Sequence, residues 1–256
     1  MTHPEHEVRA VVAAYADAFA AVAAVTTGRT RRGRCGTVLA VTGAPVAALN
    51  VVVSPAREPD VEEIVELAAG ESPWGVPWSV HVRGSGEDVV AAAPAFGLSV
   101  ADRIPLMVRP GTALPPQEPS RTGLRVRDVG AEELERWGRT LAAGFGAPYE
   151  VLRVLTAPGI ASAPGVTCYL AEVDGVPVAT GMAVRSGDLT GLFNVATLPE
   201  HRRLGHGRAV TAAMLRAADD AGAPVAYLGA SAAGESVYRS LGFRTVEHLA
   251  VLTASV

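Results

Sequence analysis

Apolar residues along 4–25 return at intervals of three and four, putting Val8, Val11, Val12, Tyr15, Phe19 and Val22 on one face of an expected amphipathic helix that ends at Thr26-Thr27-Gly28. The pattern then shortens. Residues 36–40 and 47–54 flank Gly43-Ala44-Pro45 and read as a hairpin. The basic run Arg29–Arg34 before it is expected to be a solvated loop. Asp60 caps an expected helix over 60–69 that Gly70 stops, and a strand over 77–84 leads through a helix to a strand over 104–108.

In the second half, 124–126 reads as a strand, and 131–144 as a helix with Leu134, Trp137, Leu141 and Ala142 on one face. A glycine- and proline-containing bend, Phe145–Tyr149, precedes a short helix over 150–155. Strands over 166–173 and 176–184 are joined by Asp174-Gly175, a hairpin signal. A strand over 192–197 then runs into Leu198-Pro199, and a helix from about Gly207 carries Val210, Ala213, Met214, Ala217, Ala218 and Ala221 on one stripe before Gly222. A strand at 225–228 follows.

Two stretches match each other. Pro77–Gly84, a helix, Ala95-Phe96-Gly97-Leu98 and 104–108 repeat the order of Pro224–Gly229, a helix, Ser240-Leu241-Gly242-Phe243 and 246–251. An internal repeat is therefore expected, with a domain over 1–110, a Pro- and Gly-rich linker over 111–121, and a second domain over 122–256.

The 256 residues, 49% hydrophobic and 19% charged, describe a globular chain, and a net charge of −4 argues against nucleic acid as a partner. The apolar stretch 8–25 is interrupted by Arg9 and Asp17 and follows acidic residues, so neither a signal peptide nor a membrane span is expected. Cys35 and Cys168 have no metal-ligand spacing and read as free thiols of a cytoplasmic protein, with one disulfide as the alternative.

Candidate chemistry centres on Glu200-His201-Arg202-Arg203-Leu204-Gly205-His206-Gly207-Arg208. Gly205 and Gly207 remove Cβ atoms where a backbone must curl, the three arginines add charge, and the first amides of the following helix lack intrahelical acceptors. A phosphate suits such a place. The plain alternative is an exposed basic turn. The segment has neither the Lys-Ser/Thr ending of a Walker loop nor a Gly-x-Gly-x-x-Gly order. His201 and His206 are of the residue type that can serve as a base, but hydrogen bonding or exposure accounts for histidines in such a loop.

Arg202-x-x-Gly205-x-Gly207, followed by helix, strand and the Tyr238-x-x-x-Gly242-Phe243 segment, resembles the signature of the GCN5-related N-acetyltransferases over roughly 122–256. The resemblance implies an α/β fold, a GNAT-like mixed, mostly antiparallel sheet flanked by helices, here as two units in tandem. It implies acetyl-coenzyme A as co-substrate, no metal, and a small-molecule or peptide amine as acceptor, in a monomer or homodimer. Under it, Arg202, Arg203, Leu204, Gly205, His206, Gly207 and Arg208 hold the diphosphate, and backbone near Val195, Ala196 and Thr197 pairs with the acyl-pantetheine arm. Tyr238 stands where the family often places a general acid. Ser231 replaces an asparagine that many relatives carry. The central strand offers Asn194 where relatives often have a glutamate base, which leaves Glu150, Glu172, Glu200 or a water chain. The first unit lacks the Arg-x-x-Gly-x-Gly turn and is not expected to bind coenzyme A. A non-catalytic acyl-coenzyme A binder is the alternative reading.

Overall fold

A computed structural model describes residues 4–69, 75–111 and 123–254. It divides the chain into two units, 1–107 with 245–256, and 108–244. Most of the expected linker, and Gly70, fall outside the described residues.

The first unit opens with α1 (Pro4–Ala24), which packs Val11, Val12, Tyr15 and Ala16 against the sheet and lies over β2 (Val38–Val41). Strand β1 (Arg29–Arg32) pairs antiparallel with β2, so the basic run is a strand and not the expected loop; its four side chains are exposed. An edge strand of arginines resists pairing with another chain. Strand β3 (Asn50–Val53) completes the hairpin, α2 (Val61–Ala69) follows, and β4 (Ser79–Arg83) runs parallel to β3. Then come α3 (Glu87–Ala92) and β5 (Leu98–Arg109).

The last strand, β11 (Arg244–Ala254), pairs antiparallel with β4 and stands between β4 and β5. A second domain reaching residue 256 was expected; the contacts instead group 245–256 with the first unit. Ala250 and Leu252 join Leu39, Val52, Ile64, Leu67, Val80 and Val82 in its core. Alternation along β4 sends Val80 and Val82 into that core, while Ser79 and His81 face Tyr15.

The second unit contains β6 (Leu124–Asp128), α4 (Leu134–Phe145), α5 (Tyr149–Leu152), α6 (Pro158–Ser162), β7 (Val166–Val173), β8 (Val176–Ser186), β9 (Leu189–Thr197), α7 (His206–Asp220), β10 (Val225–Gly229) and α8 (Glu235–Ser240). Its strand order is β10-β9-β8-β7-β6, antiparallel except for the parallel β9–β10 pair. Helices α4 and α7 both pack on β8 and β9, burying Leu134, Trp137 and Leu141 from one and Val210, Met214 and Leu215 from the other. Glycine is required where α7 meets the sheet: a Cβ at Gly181 would lie 2.6 Å from Val210 and 2.8 Å from Met214. No helix among the described residues is long and apolar enough to cross a membrane.

Candidate active site

The site is built on the end of β9. Pairing with β10 runs from Leu189–Val225 to Gly191–Tyr227, whereas β9 continues to Thr197. Pairing with β8 reaches Thr197–Ala179 but slips on the way, from Met182–Phe193 to Thr180–Ala196. Asn194 and Val195 thus face the single residue Gly181, a bulge, and Asn194 takes φ +54. Asparagine tolerates that region better than other side chains, which gives position 194 a backbone reason for its residue. Side chains secure the bulge. Thr180 donates its hydroxyl to the Asn194 carbonyl at 3.0 Å, and the buried Trp137 indole donates to the Gly181 carbonyl at 3.2 Å. Neither residue stood out in the sequence, because a buried threonine and a helical tryptophan read as core.

Beyond Thr197 the chain makes one 3-10 turn, Pro199–His201, and reaches the basic turn. Arg203 has φ +64 and Gly205 φ +83, so the backbone curls through the left-handed region twice before α7 begins. Ala209 N–H donates to Gly205 O, which leaves the amides of His206, Gly207 and Arg208 ahead of the helix's hydrogen-bonded ladder. The N-cap position is Gly205, which has no side chain to cap the helix. A Cβ at Gly205 would meet open space, and one at Gly207 would stand 3.2 Å from Thr197 Oγ1. A helix start with its dipole, and the missing side chains of Gly205 and Gly207, fit a diphosphate.

Arg203 and Leu204 are exposed and Arg208 is half-buried. Arg202, also exposed, is anchored to the backbone. It donates to the Thr197 carbonyl at 3.3 Å and to the Gly144 carbonyl at 2.9 Å, tying the turn to β9 and to the end of α4. Close packing there needs Gly144, whose Cβ would lie 2.8 Å from that of Ala196. The His201 and His206 rings meet edge to face at 5.9 Å.

Tyr238 lies on α8, the helix that follows β10, and is 8% exposed. Phe243 N–H donates to Tyr238 O and Gly242 N–H to Arg239 O, with Gly242 at φ +89 and the two rings 5.9 Å apart. This is a Schellman helix stop with its hydrophobic contact. The Tyr-x-x-x-Gly-Phe spacing therefore has a folding explanation that holds the ring whatever the hydroxyl does. Burial pushes the phenol up to about 12, so it keeps its proton at neutral pH. Ser231 is exposed, and its carbonyl accepts the first amides of α8 from Gly234 and Glu235.

The carboxylates separate. Glu172 is buried on β7 and engaged by Arg127 at 2.9 Å and Arg136 at 2.8 Å, in a cluster with Glu133. A carboxylate shared by two guanidinium groups ties β7 to β6 and α4, where a base was the expectation. The same cluster holds Arg127 above and Glu133 below their usual ranges, each chiefly through their mutual hydrogen bonds. Glu150 is exposed in the first turn of α5, after the bend where Phe145 is 54% exposed, and Glu200 is exposed beside the turn.

The first unit repeats the strand–helix–parallel strand order without the opening. Val51–Ser79, Val52–Val80 and Val53–His81 pair to the end of β3, and Ser54 N–H still reaches His81 O at 3.1 Å. At the start of α2, Asp60 accepts from Glu63 N–H at 3.0 Å, so a carboxylate of the chain takes up a helix-start amide.

Comparison with known proteins agrees with this geometry. Residues 164–245 match the model of the acetyltransferase (GNAT) domain. The fold is similar to a GCN5-related N-acetyltransferase from Kribbella flavida (22% identity, 96% of each chain covered, TM-score 0.70) and to a functionally unknown conserved protein from Staphylococcus epidermidis (11%, 90% of this chain and 95% of that one, 0.62). A GCN5-related N-acetyltransferase from Sphaerobacter thermophilus also matches (15%, 85% and 76%, 0.57). A search of curated sequences found no match. Residues 164–245 thus match a GNAT acetyltransferase domain, and the fold is shared with GCN5-related N-acetyltransferases. That class implies acyl-coenzyme A-dependent acetyl transfer.

Proposed function

We propose that the second unit transfers an acetyl group from acetyl-coenzyme A to a primary amine by direct attack, and that the first unit carries no coenzyme site. The observation that carries this is the pairing of an α7 start whose N-cap is a glycine with a β9 that outruns β10, set against an α2 start capped by Asp60 and a closed β3–β4 ladder. The amides of 206–208 and the Arg203 and Arg208 side chains hold the diphosphate, while the released flank of β9 at Val195–Thr197 receives the pantetheine arm. A backbone amide at the bulge steadies the charge that grows on the thioester oxygen as nitrogen attacks. The carbon–sulfur bond breaks, and Tyr238 stabilises the departing thiolate from its hydroxyl. The amine gives its proton to Glu150 or to water.

A second reading, a non-catalytic acyl-coenzyme A binder, draws on the neutral Asn194 within the bulge and on the ion pairs that occupy Glu172. Calorimetry with acetyl-coenzyme A, and free thiol released across a panel of small amines, peptides and aminoglycosides, tests both. Binding with turnover supports the enzyme, binding without turnover supports the binder, and no binding removes both.

A further inference from the structure

The bulge carries one more assignment, which rests on the reading of the second unit as an acetyl-coenzyme A site. Thr180 is fully buried on β8, with its hydroxyl 3.0 Å from the Asn194 carbonyl. That carbonyl belongs to the same planar peptide as the Val195 N–H, and in a trans peptide the two groups point in opposite directions. We infer that Thr180 is a positioning residue: by drawing the Asn194 carbonyl toward β8, it turns the Val195 N–H to the flank where pairing with β10 has ended, and so aims that amide at the carbonyl oxygen of a bound thioester. Trp137 on Gly181, together with Asn194 Nδ2 beside Met182 Sδ at 3.6 Å, keeps the neighbouring peptides from following if the hydroxyl is lost.

Thr180→Val and Thr180→Ser separate positioning from packing. Valine keeps the shape and loses the hydroxyl, whereas serine keeps the hydroxyl and loses a methyl, so the two roles predict opposite orders of damage. The primary readout needs no acceptor: the isotope-edited infrared band of the thioester carbonyl in bound [1-13C]acetyl-coenzyme A. The band is expected to be lowered on the wild type and on Thr180→Ser, and to return toward its free value on Thr180→Val. With any amine that turns over, kcat of Thr180→Val falls about tenfold to a hundredfold, at or below the loss of one oxyanion donor. An unchanged band in Thr180→Val, or equal damage from serine, overturns the assignment. Should Thr180→Val not fold, the wild-type Val195 amide proton decides: it moves downfield with acetyl-coenzyme A and not with coenzyme A, which lacks the thioester carbonyl. Equal shifts with both overturn the assignment while leaving the coenzyme site intact. Failure of the wild type to bind acetyl-coenzyme A in calorimetry takes down the site and the assignment together.

Discussion

Single side chains in this protein are set by their surroundings more than by their type. Tyr238 is held in place by a helix stop, so its ring and its hydroxyl can be tested apart. Tyr238→Phe keeps the contact with Phe243 and is expected to lower turnover about 10²-fold with acetyl-coenzyme A affinity unchanged. Unaltered kcat would leave the tyrosine a capping residue only. In the first unit, His81 bridges the Tyr15 hydroxyl at 3.1 Å and Ser79 at 3.0 Å inside the core, and burial lowers it to about 4 from 6.5. Its folded value lies below its unfolded one, so the unfolded state binds the extra proton. Stability from the neutral ring is complete above about pH 6.5 and is lost as pH falls through 6.5 toward 4, by about 3 kcal/mol. The His81 Hε1 resonance should stay flat down to about pH 5; a midpoint near 6.5 would contradict the buried neutral ring.

The turn before α7 was legible in sequence because glycine is the residue that reaches φ +83 without strain, and Gly205 occurs where the curl requires it. A Cβ there meets nothing, so the cost of Gly205→Ala is torsional, about 1–2 kcal/mol. Relaxing that strain would move the amides of 206–208, and acetyl-coenzyme A binding is expected to weaken about tenfold in calorimetry. Intact affinity would mean that the turn grips by its arginines and not by its backbone. The β9 bulge was not legible, since it depends on which residue of β8 stands opposite Asn194. Glu172 shows the same limit: a glutamate on a strand announces a carboxylate, and only the approach of Arg127 from β6 and Arg136 from α4 decides what that carboxylate does.

At the scale of the whole molecule, the chain divides unevenly. Strand β11 ends the sequence yet belongs to the first unit, with Leu249, Ala250 and Leu252 fully buried. Deleting 245–256 removes one of the two partners of β4, and each lost leucine alone is comparable to a core truncation costing about 2–5 kcal/mol. The first unit should then lose its cooperative unfolding transition; a deletion variant melting like the full chain would contradict the division. The closed β3–β4 ladder further predicts one acetyl-coenzyme A per chain by calorimetric stoichiometry.

From its residues alone the chain specified most of its helices and strands and the glycine turn, because apolar period, capping side chains and positive φ are local properties. Folding decided where β9 parts from β10, which carboxylate is tied up in ion pairs and which unit receives the final strand. Those outcomes depend on the register and partner of strands far apart in sequence, and neither is written in any single segment.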